Sequence, residues 1–546
     1  MSKEITVGDA LVRTLEQQAV SAVYGVISIH NLPIADALGR RGSPRFVPAR
    51  GEAGAVTMAD AHGRQTGLGV ALTSTGAGAG NAVGALLEAL NAGTPLLHIT
   101  GQVERQYLGR DAGFIHETQD QLGFLRACCK GAYRVTSAEQ AVPIVRRAIR
   151  EAMTAPMGPV SVEIPIDLQG ALFDGFLPSA PVAPARPPAL ANCRVQALAQ
   201  RLRTATRPLL WVGGGALGAG DAVRRLADAG LPVISSTHGR GIVPDSHPRS
   251  LRAFHNAEAV EALFAQSDLL IVAGSKLRSN ETKTYSLALP EPLVQIDIDP
   301  AACHRNYRAD EFIEGDCGEV LTALADCFDG ESLADGQYDG DISSAIAQAE
   351  QKLRAQMGPY AVLCDAVRAA LPADGLFVRD ITMSGSTWGS RLLPIEFPNT
   401  NIHSLAGAIG MGLPMAIGSA VAQPGRKVLG LVGDGGLMLG VGEIATMVQE
   451  NLDLTLLVMN DGGYGVMRGI QRNHFSDRQY YNTLLTPQFT TLADSMGLKH
   501  WQIRDASQAS ELLFQAVSHA GPALVEVDMA CFGELKFAGP PQRKLF

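Results

Sequence analysis

Short apolar runs rich in Val, Leu and Ile recur along the chain, and between them lie longer, Ala-rich segments whose apolar positions fall at helical spacing. Residues 20–24, 70–73, 96–100 and 160–164 form one series. Residues 209–212, 233–236, 269–273 and 294–298 form a second, and residues 376–378, 428–432, 454–458 and 523–527 a third. Runs this short fall below the length of a globular helix and read as buried strands. Strand and helix in strict alternation predict parallel sheets covered by helices. The expectation is an α/β fold of three doubly wound parallel-sheet domains, at 1–175, 190–330 and 355–546. Residues 181–188, rich in Pro, read as a stiff linker, and the Gly/Asp-rich stretch 329–344 as a second.

Composition narrows the function classes. A length of 546 residues with 46% hydrophobic content suits three or four domains with ample cores. The net charge of -9 and the scattered basic residues leave no stripe for nucleic acid and no polybasic tail for a membrane. The first residues lack the apolar stretch of a signal peptide, and no apolar run reaches spanning length, so a cytoplasmic protein is expected. The eight cysteines are scattered apart from adjacent Cys128 and Cys129, and no Cys-x-x-Cys occurs. They read as reduced core residues.

Candidate chemistry concentrates where predicted strands end. The run 428–432 leads into Gly433-Asp434-Gly435-Gly436, and the run 454–458 into Asn460-Asp461-Gly462-Gly463-Tyr464. Two such units in tandem put Asp434 and Asp461 at the carboxyl ends of neighbouring parallel strands, where an open α/β sheet keeps its ligand crevice. Hard oxygen ligands there suit Mg2+ or Ca2+ bridging to phosphates, which the glycines let the backbone approach. Glu52, in Arg50-Gly51-Glu52-Ala53-Gly54-Ala55, sits near a helix start, where complementing the helix dipole is the plain account. Thr382 and Ser384 follow the strand 376–378 and offer hydroxyls to a diphosphate or to an ordinary polar turn. The loop 74–81 has the look of an anion cradle, but no Gly-Lys-Ser/Thr follows, which excludes a Walker motif. Residues 213–218 fit Gly-x-Gly-x-x-Gly, yet the next strand ends in Ser235-Ser236-Thr237 with no acid for a ribose, which argues against nicotinamide. His30, and His116 with Glu117 and Gln119, lie in loops expected at one crevice; they are acid/base candidates, with structural histidines as the alternative.

The spacing from Asp434 to Asp461 resembles the pattern Gly-Asp-Gly followed by Asn-Asn of the thiamine diphosphate enzymes of the decarboxylase and acetolactate synthase superfamily, and the resemblance runs from about residue 4 to 528. It implies metal ligation by Asp434, by Asp461 in place of the second Asn, and by the main-chain carbonyl of Gly463. It further implies cofactor contacts from Thr382, Ser384, Gly433, Gly435, Gly436 and Tyr464. Arg50 to Ala55 resembles the activating motif Arg-x-Glu-x-x-Ala, which would make Glu52 the partner of the pyrimidine N1'. The stretch 407–414 resembles the pyrimidine-gripping segment, with Ile409 as the wedge beneath the bent cofactor and the Gly407 carbonyl as acceptor for its amino group. Related acetolactate synthases hold FAD in the middle domain; residues 274–281 correspond only loosely to their Arg-rich stretch, so flavin is the less favoured state. His116-Glu117-Thr118-Gln119 resembles a subgroup that decarboxylates larger 2-oxo acids, including the guanidino acid made from arginine, where acetolactate synthases carry Phe-Gln. Glu117 is then a candidate receiver for a cationic substrate tail. The implied reaction is decarboxylation of a 2-oxo acid with thiamine diphosphate and Mg2+, ending in aldehyde release or ligation to a second carbonyl compound. Acetolactate synthesis, a flavin-dependent oxidase and a non-catalytic homologue are the alternatives. Sites built from two subunits imply a homodimer or homotetramer, with the tail 533–541 placed to close over the site.

Overall fold

The computed structural model describes residues 5–333 and 336–535. Its strands form three parallel sheets, as the alternating pattern leads one to expect. The first has six strands in the order Arg45–Pro48, Ala22–Gly25, Gly69–Thr73, Leu96–Gln102, Pro159–Pro165, Gly131–Arg134. The third also has six, ordered Asn401–His403, Leu376–Arg379, Val428–Gly433, Leu454–Asn460, Ala523–Asp528, Lys499–Ile503. Counted along the chain, both read 2-1-3-4-6-5. The middle sheet has five strands: Val233–Ser235, Pro208–Val212, Leu269–Ala273, Leu293–Asp297, Glu311–Glu314. A two-residue antiparallel pairing of Ile5–Thr6 with Leu172–Phe173 ties the two ends of the first unit together.

In each sheet the first and third strands lie side by side while their connections leave in opposite directions. That is a topological switch point, where a crevice opens beyond the carboxyl ends. In the first sheet it falls between Ala22–Gly25 and Gly69–Thr73, in the middle sheet between Pro208–Val212 and Leu269–Ala273, and in the third between Leu376–Arg379 and Val428–Gly433. The loops that follow these six strands contain His30, the 74–81 loop, both glycine stretches of the middle unit, and the Asp380 and Asp434 segments.

The first and third units share a hydrophobic core. Helix Glu52–Thr66 lies on helix Gly412–Ala422, with Met58, Ala59 and Ala61 buried among Leu413, Ala416, Ile417 and Ala420. Gly418 makes the close approach: a Cβ there would stand 2.8 Å from the Met58 carbonyl carbon. The middle unit joins the third through the fully buried ion pair of Arg240 and Asp245. Arg240 donates to the Leu393 carbonyl (2.6 Å), and Asp245 accepts from the Ile395 N–H (2.9 Å).

The stretch 329–344 is not simply a linker. Helix Gly336–Met357 begins inside it and buries Tyr338, Ile342, Ala345 and Ala349 against the middle unit, apolar positions at helical spacing that the Gly and Asp content masks. Residues 181–188 form neither helix nor strand. Of the expected closing tail, Gly533, Glu534 and Leu535 are described, with the Gly533 carbonyl accepting from the Tyr360 hydroxyl (2.7 Å), and the remainder lies outside the described residues. All eight cysteines are free thiols. Among the described residues no helix is long and apolar enough to cross a membrane.

Candidate functional site

Strands Val428–Gly433 and Leu454–Asn460 run in register with Gly433 opposite Met459, so Asp434 and Asp461 emerge from adjacent ends. The Asp461 N–H points to Asp434 Oδ1 at 3.4 Å. Asp434 is 1% exposed and its Oδ2 has no hydrogen-bond partner among the described residues. Burial, reinforced by the charge of Asp461, raises the Asp434 carboxyl to about 7. Like charges brought together away from water are costly unless a counter-charge sits with them. A divalent cation would supply that charge and take up the orphaned oxygen. The Gly463 carbonyl lies on the same side, 3.1 Å from where a Cβ of Gly435 would stand. Among the described residues no group of three or more His, Cys, Asp or Glu side chains is arranged to hold a metal. The donor set is therefore two carboxylates and main chain, which fits a hard cation that completes its shell with water or phosphate oxygens.

The rest of this crevice is built around small residues. A Cβ at Gly435 would stand 2.8 Å from the Tyr464 ring, and one at Gly436 2.9 Å from Asp380 Oδ2. Asp380 accepts from the N–H groups of Ile381 (2.7 Å) and Gly410 (2.9 Å), and burial lifts its carboxyl to about 6. Thr382 is spent on capping its own short helix, its Oγ1 accepting from the Gly385 N–H at 2.7 Å. Ser384 is buried and its hydroxyl has no partner among the described residues. A diphosphate bridged to the cation would find that hydroxyl, the glycine backbone and no bulky side chain at Gly433, Gly435 or Gly436.

A second cluster gathers at the switch point of the first sheet. Glu52 opens its helix half-buried, with Asn81 Nδ2 donating to Oε2 at 3.3 Å and Gly78 allowing Oε1 close approach. The 74–81 loop is held by buried Gln121, whose Oε1 accepts from the Thr75 hydroxyl (2.8 Å) and the Gly76 N–H (2.7 Å). The loop bearing His116 rests its backbone on Gly76, with His116 itself at φ +65°. His30 and His116 meet edge to face, ring centroids 5.2 Å apart. Burial, then the neighbouring His116, lowers the pKa of His30, whose Nδ1 has no partner among the described residues. Exposed Ile27, Ile29 and Ile115 rim this pair. Glu117 is already engaged: its carboxylate accepts from the N–H groups of Asp111 (2.9 Å), Ala112 (3.0 Å) and Phe114 (3.0 Å). A carboxylate so occupied shapes its own loop and has little left for a substrate's cationic tail. Gln119 is exposed on the same loop.

Gly407 (φ +85°) and Ile409 lie on an exposed turn, and Ile409 is 36% accessible. The residues just before them are tied down by a group that sequence reasoning missed. Fully buried Glu88 accepts from the Ser404 hydroxyl (2.9 Å) and from the N–H groups of Leu405 (2.6 Å) and Ala406 (2.8 Å). It also pairs with Arg64 (3.0 Å), which pairs in turn with Asp60 (2.5 Å) and donates to the His403 carbonyl (2.8 Å). Arg278 of the middle unit donates to the Leu405 and Asn91 carbonyls, both at 3.0 Å. All three units thus hold the base of this turn. The available signal was a carboxylate on the apolar face of helix Val83–Ala92, beside Ala85 and Ala89.

The glycines of the middle unit close on the protein itself. The N–H groups of Gly213 and Gly215 donate to the carbonyls of Ala273 and Gly274 (both 2.9 Å), and Gly214 lies against the His238 ring. Close packing of two loops is what these glycines provide.

Fold and site together describe a three-unit α/β protein whose last unit opens a crevice lined by two neighbouring carboxylates and glycine backbone. Residues 5–124, 195–324 and 380–527 match, respectively, the family descriptions "Thiamine pyrophosphate enzyme, N-terminal TPP binding domain", "central domain" and "C-terminal TPP binding domain". The chain belongs to the thiamine pyrophosphate enzyme family, in its decarboxylase and acetolactate synthase-like superfamily. It is 30% identical over 541 residues to the probable 2-ketoarginine decarboxylase AruI of Pseudomonas aeruginosa, covering 97% of this chain and 95% of that one. It is 29% identical over 533 residues to the acetolactate synthase isozyme 1 large subunit of Escherichia coli (96% and 94% covered). To the acetolactate synthase of Arthrospira platensis it is 30% identical over 568 residues (96% and 94%).

Proposed function

We propose that the chain is a thiamine diphosphate- and Mg2+-dependent enzyme that removes CO2 from a 2-oxo acid and then releases an aldehyde or joins the remaining fragment to a second carbonyl compound. The carrying observation is the buried Asp434 with its unsatisfied oxygen beside Asp461, at the switch point of a domain that matches a thiamine pyrophosphate-binding family. Bound there, thiamine diphosphate supplies a nucleophilic carbon and an electron sink. Asp434, Asp461 and the Gly463 carbonyl would hold Mg2+, Ser384 and the glycine backbone the diphosphate, and Ile409 the angle between the rings. Glu52 would hold a proton at the pyrimidine nitrogen. His30, kept neutral by burial, and His116 would orient the substrate carboxylate or move a proton near it.

Glu52 accepts from Asn81 and lies beside Gly78, both of the first unit. Apolar side chains stand exposed around both clusters: Ile27, Ile29 and Ile115 on one side, Met438, Leu439 and Met467 on the other. This supports a homodimer, or a homotetramer made of two such dimers, in which one copy's first unit covers another's third.

The test is a panel of 2-oxo acids, including pyruvate, phenylglyoxylate and 5-guanidino-2-oxopentanoate, with CO2 and ligation products followed together at saturating cofactor. CO2 release from a member of the panel is expected. No turnover of any member with cofactor bound would favour the non-catalytic reading. A second reading, acetolactate synthesis, is favoured by the relatives of that name. Acetolactate from pyruvate alone would decide for it, against the expectation set by His116.

A further inference from the structure

Resting on the cofactor reading above, we propose that Arg468 is the charge partner of the metal site, taking one oxygen of Asp461 so that the other is left for the cation and the site carries one net negative charge instead of two.

The geometry divides Asp461 in two. Arg468 lies on helix Gly465–His474, and its Nη2 reaches Asp461 Oδ2 at 2.8 Å and the Asp461 main-chain carbonyl at 2.7 Å. One guanidinium thus grips both the side chain and the backbone of the same residue. Gly465 boxes the carboxylate from below: a Cβ there would collide with Oδ2 and stand 2.7 Å from the Met383 Cε. Oδ2 is therefore committed to Arg468. Neither member of the pair is freely solvated, with side chains 24% and 14% exposed, so water screens it less than an open surface pair.

The charge count gives this contact its meaning. Asp434 and Asp461 bring two negative charges to one crevice, and a diphosphate would bring more. Such a ligand binds where cationic charge offsets the carboxylates, and the cation alone would meet two of them. Arg468 removes one from the sum while leaving Asp434 Oδ2 and the second oxygen of Asp461 outside its grip. The guanidinium is fixed by a carbonyl as well as a carboxylate, a grip that the point charge of a lysine reproduces only in part. The other arginine of that helix, Arg472, pairs with Glu534.

The prediction has a sign that a merely structural role would not give. In Arg468→Gln, Mg2+ alone should bind several-fold more tightly, because the site is more negative. Thiamine diphosphate at saturating Mg2+ should bind about tenfold more weakly, a coupling of the size seen between neighbours in one charge network. Both are read by calorimetry on the full chain. Arg468→Lys should fall between Arg468→Gln and wild type. Asp461→Asn combined with Arg468→Gln should return both affinities to within about threefold of wild type. Loss of both affinities together, as from misfolding, would overturn the assignment, as would a double variant no closer to wild type than Arg468→Gln alone. If the wild type itself binds no thiamine diphosphate with Mg2+, the cofactor reading falls and takes this inference with it. If wild type and Arg468→Gln bind alike, only the inference falls.

Discussion

The first and third sheets have the same strand order and open a crevice at the same switch point, yet they furnish it with opposite chemistry. In the third, carboxylates are driven into the protein. Asp434 is buried, Asp380 is buried, and Asp434 Oδ2 has no partner among the described residues. In the first, Glu52 is half-exposed, His116 is exposed, and apolar side chains stand around them in solvent. One crevice gathers buried carboxylates; the other is lined by exposed side chains. Topology fixes where a ligand can lie, and the side chains decide whether the place grips charge or completes someone else's grip.

The sharpest way to break this contrast is Asp434→Ala. Removal of the proposed buried ligand should weaken metal-dependent binding of thiamine diphosphate by more than about a hundredfold, since one of the two carboxylates proposed to hold the cation is lost. Calorimetry showing wild-type affinity would end the metal assignment. A pH effect belongs to the same residue. Its folded pKa is raised from 3.8 to about 7, so between these values the folded chain holds a proton that the unfolded chain has lost. Without cation, stability should therefore fall as pH rises through that window and level off above it. Asp434→Asn should flatten this slope in unfolding measurements at pH 5 and 8. Mg2+ should bind more tightly at pH 8 than at pH 6, with proton release at the lower pH.

Glu52→Gln makes the complementary case. Nothing in the diphosphate crevice changes, so cofactor affinity should stay within a few-fold. Exchange of the thiazolium C2 proton, followed by NMR, should slow by a hundredfold or more, the range of a positioned acid/base group. Unchanged exchange would leave Glu52 with only the helix dipole to explain it.

How much of this could be read from the chain depended on where each element sits in its sheet. Central strands such as Leu454–Asn460 and Leu96–Gln102 are buried along nearly their whole length and stand out as continuous apolar runs. Among the strands absent from the predicted set, Gly131–Arg134, Glu311–Glu314, Asn401–His403 and Lys499–Ile503 are all edge strands. Three of them mix polar and partly exposed residues, and Asn401–His403 is only three residues long. Edge position removes the apolar pattern that would announce them. The crevice residues Asp434, Asp461 and His30 were legible for the same reason as the central strands, since each follows one directly. Glu88, Arg64 and Gln121 were not, because their meaning lies in distant partners: Glu88 is 316 residues from Ser404 and Gln121 is 45 from Gly76. No local pattern encodes such a contact.

Glu88→Ala tests whether the two crevices are mechanically joined. The substitution strips Arg64 of a buried partner and frees three donors before Gly407, and removing one member of a buried ion pair typically costs about 3–5 kcal/mol. Chemical unfolding should show a loss of that order. Where the protein still folds, cofactor should bind more weakly although no residue at Asp434 has changed. Stability within about 0.5 kcal/mol of wild type, the range of an ordinary surface substitution, would show that the turn is held without Glu88.

The smallest effect is expected at His116, and the reason lies in the pair it forms. His30 stands 5.2 Å away, buried and neutral, so a neighbouring imidazole remains when His116 is cut to Ala. The loss in kcat/KM should then be about tenfold, below the hundredfold floor usual for a lone acid/base group. The ratio of aldehyde to ligation product should shift with it. Backbone and ring can be separated, because His116 sits at φ +65°, a conformation glycine adopts without strain. His116→Gly should be at least as stable as His116→Ala while losing the same activity. If the two variants differ in activity but not in product ratio, the loop's shape and not the imidazole is what the crevice uses. The first unit would then contribute Glu52 and a covering face, and no second proton carrier.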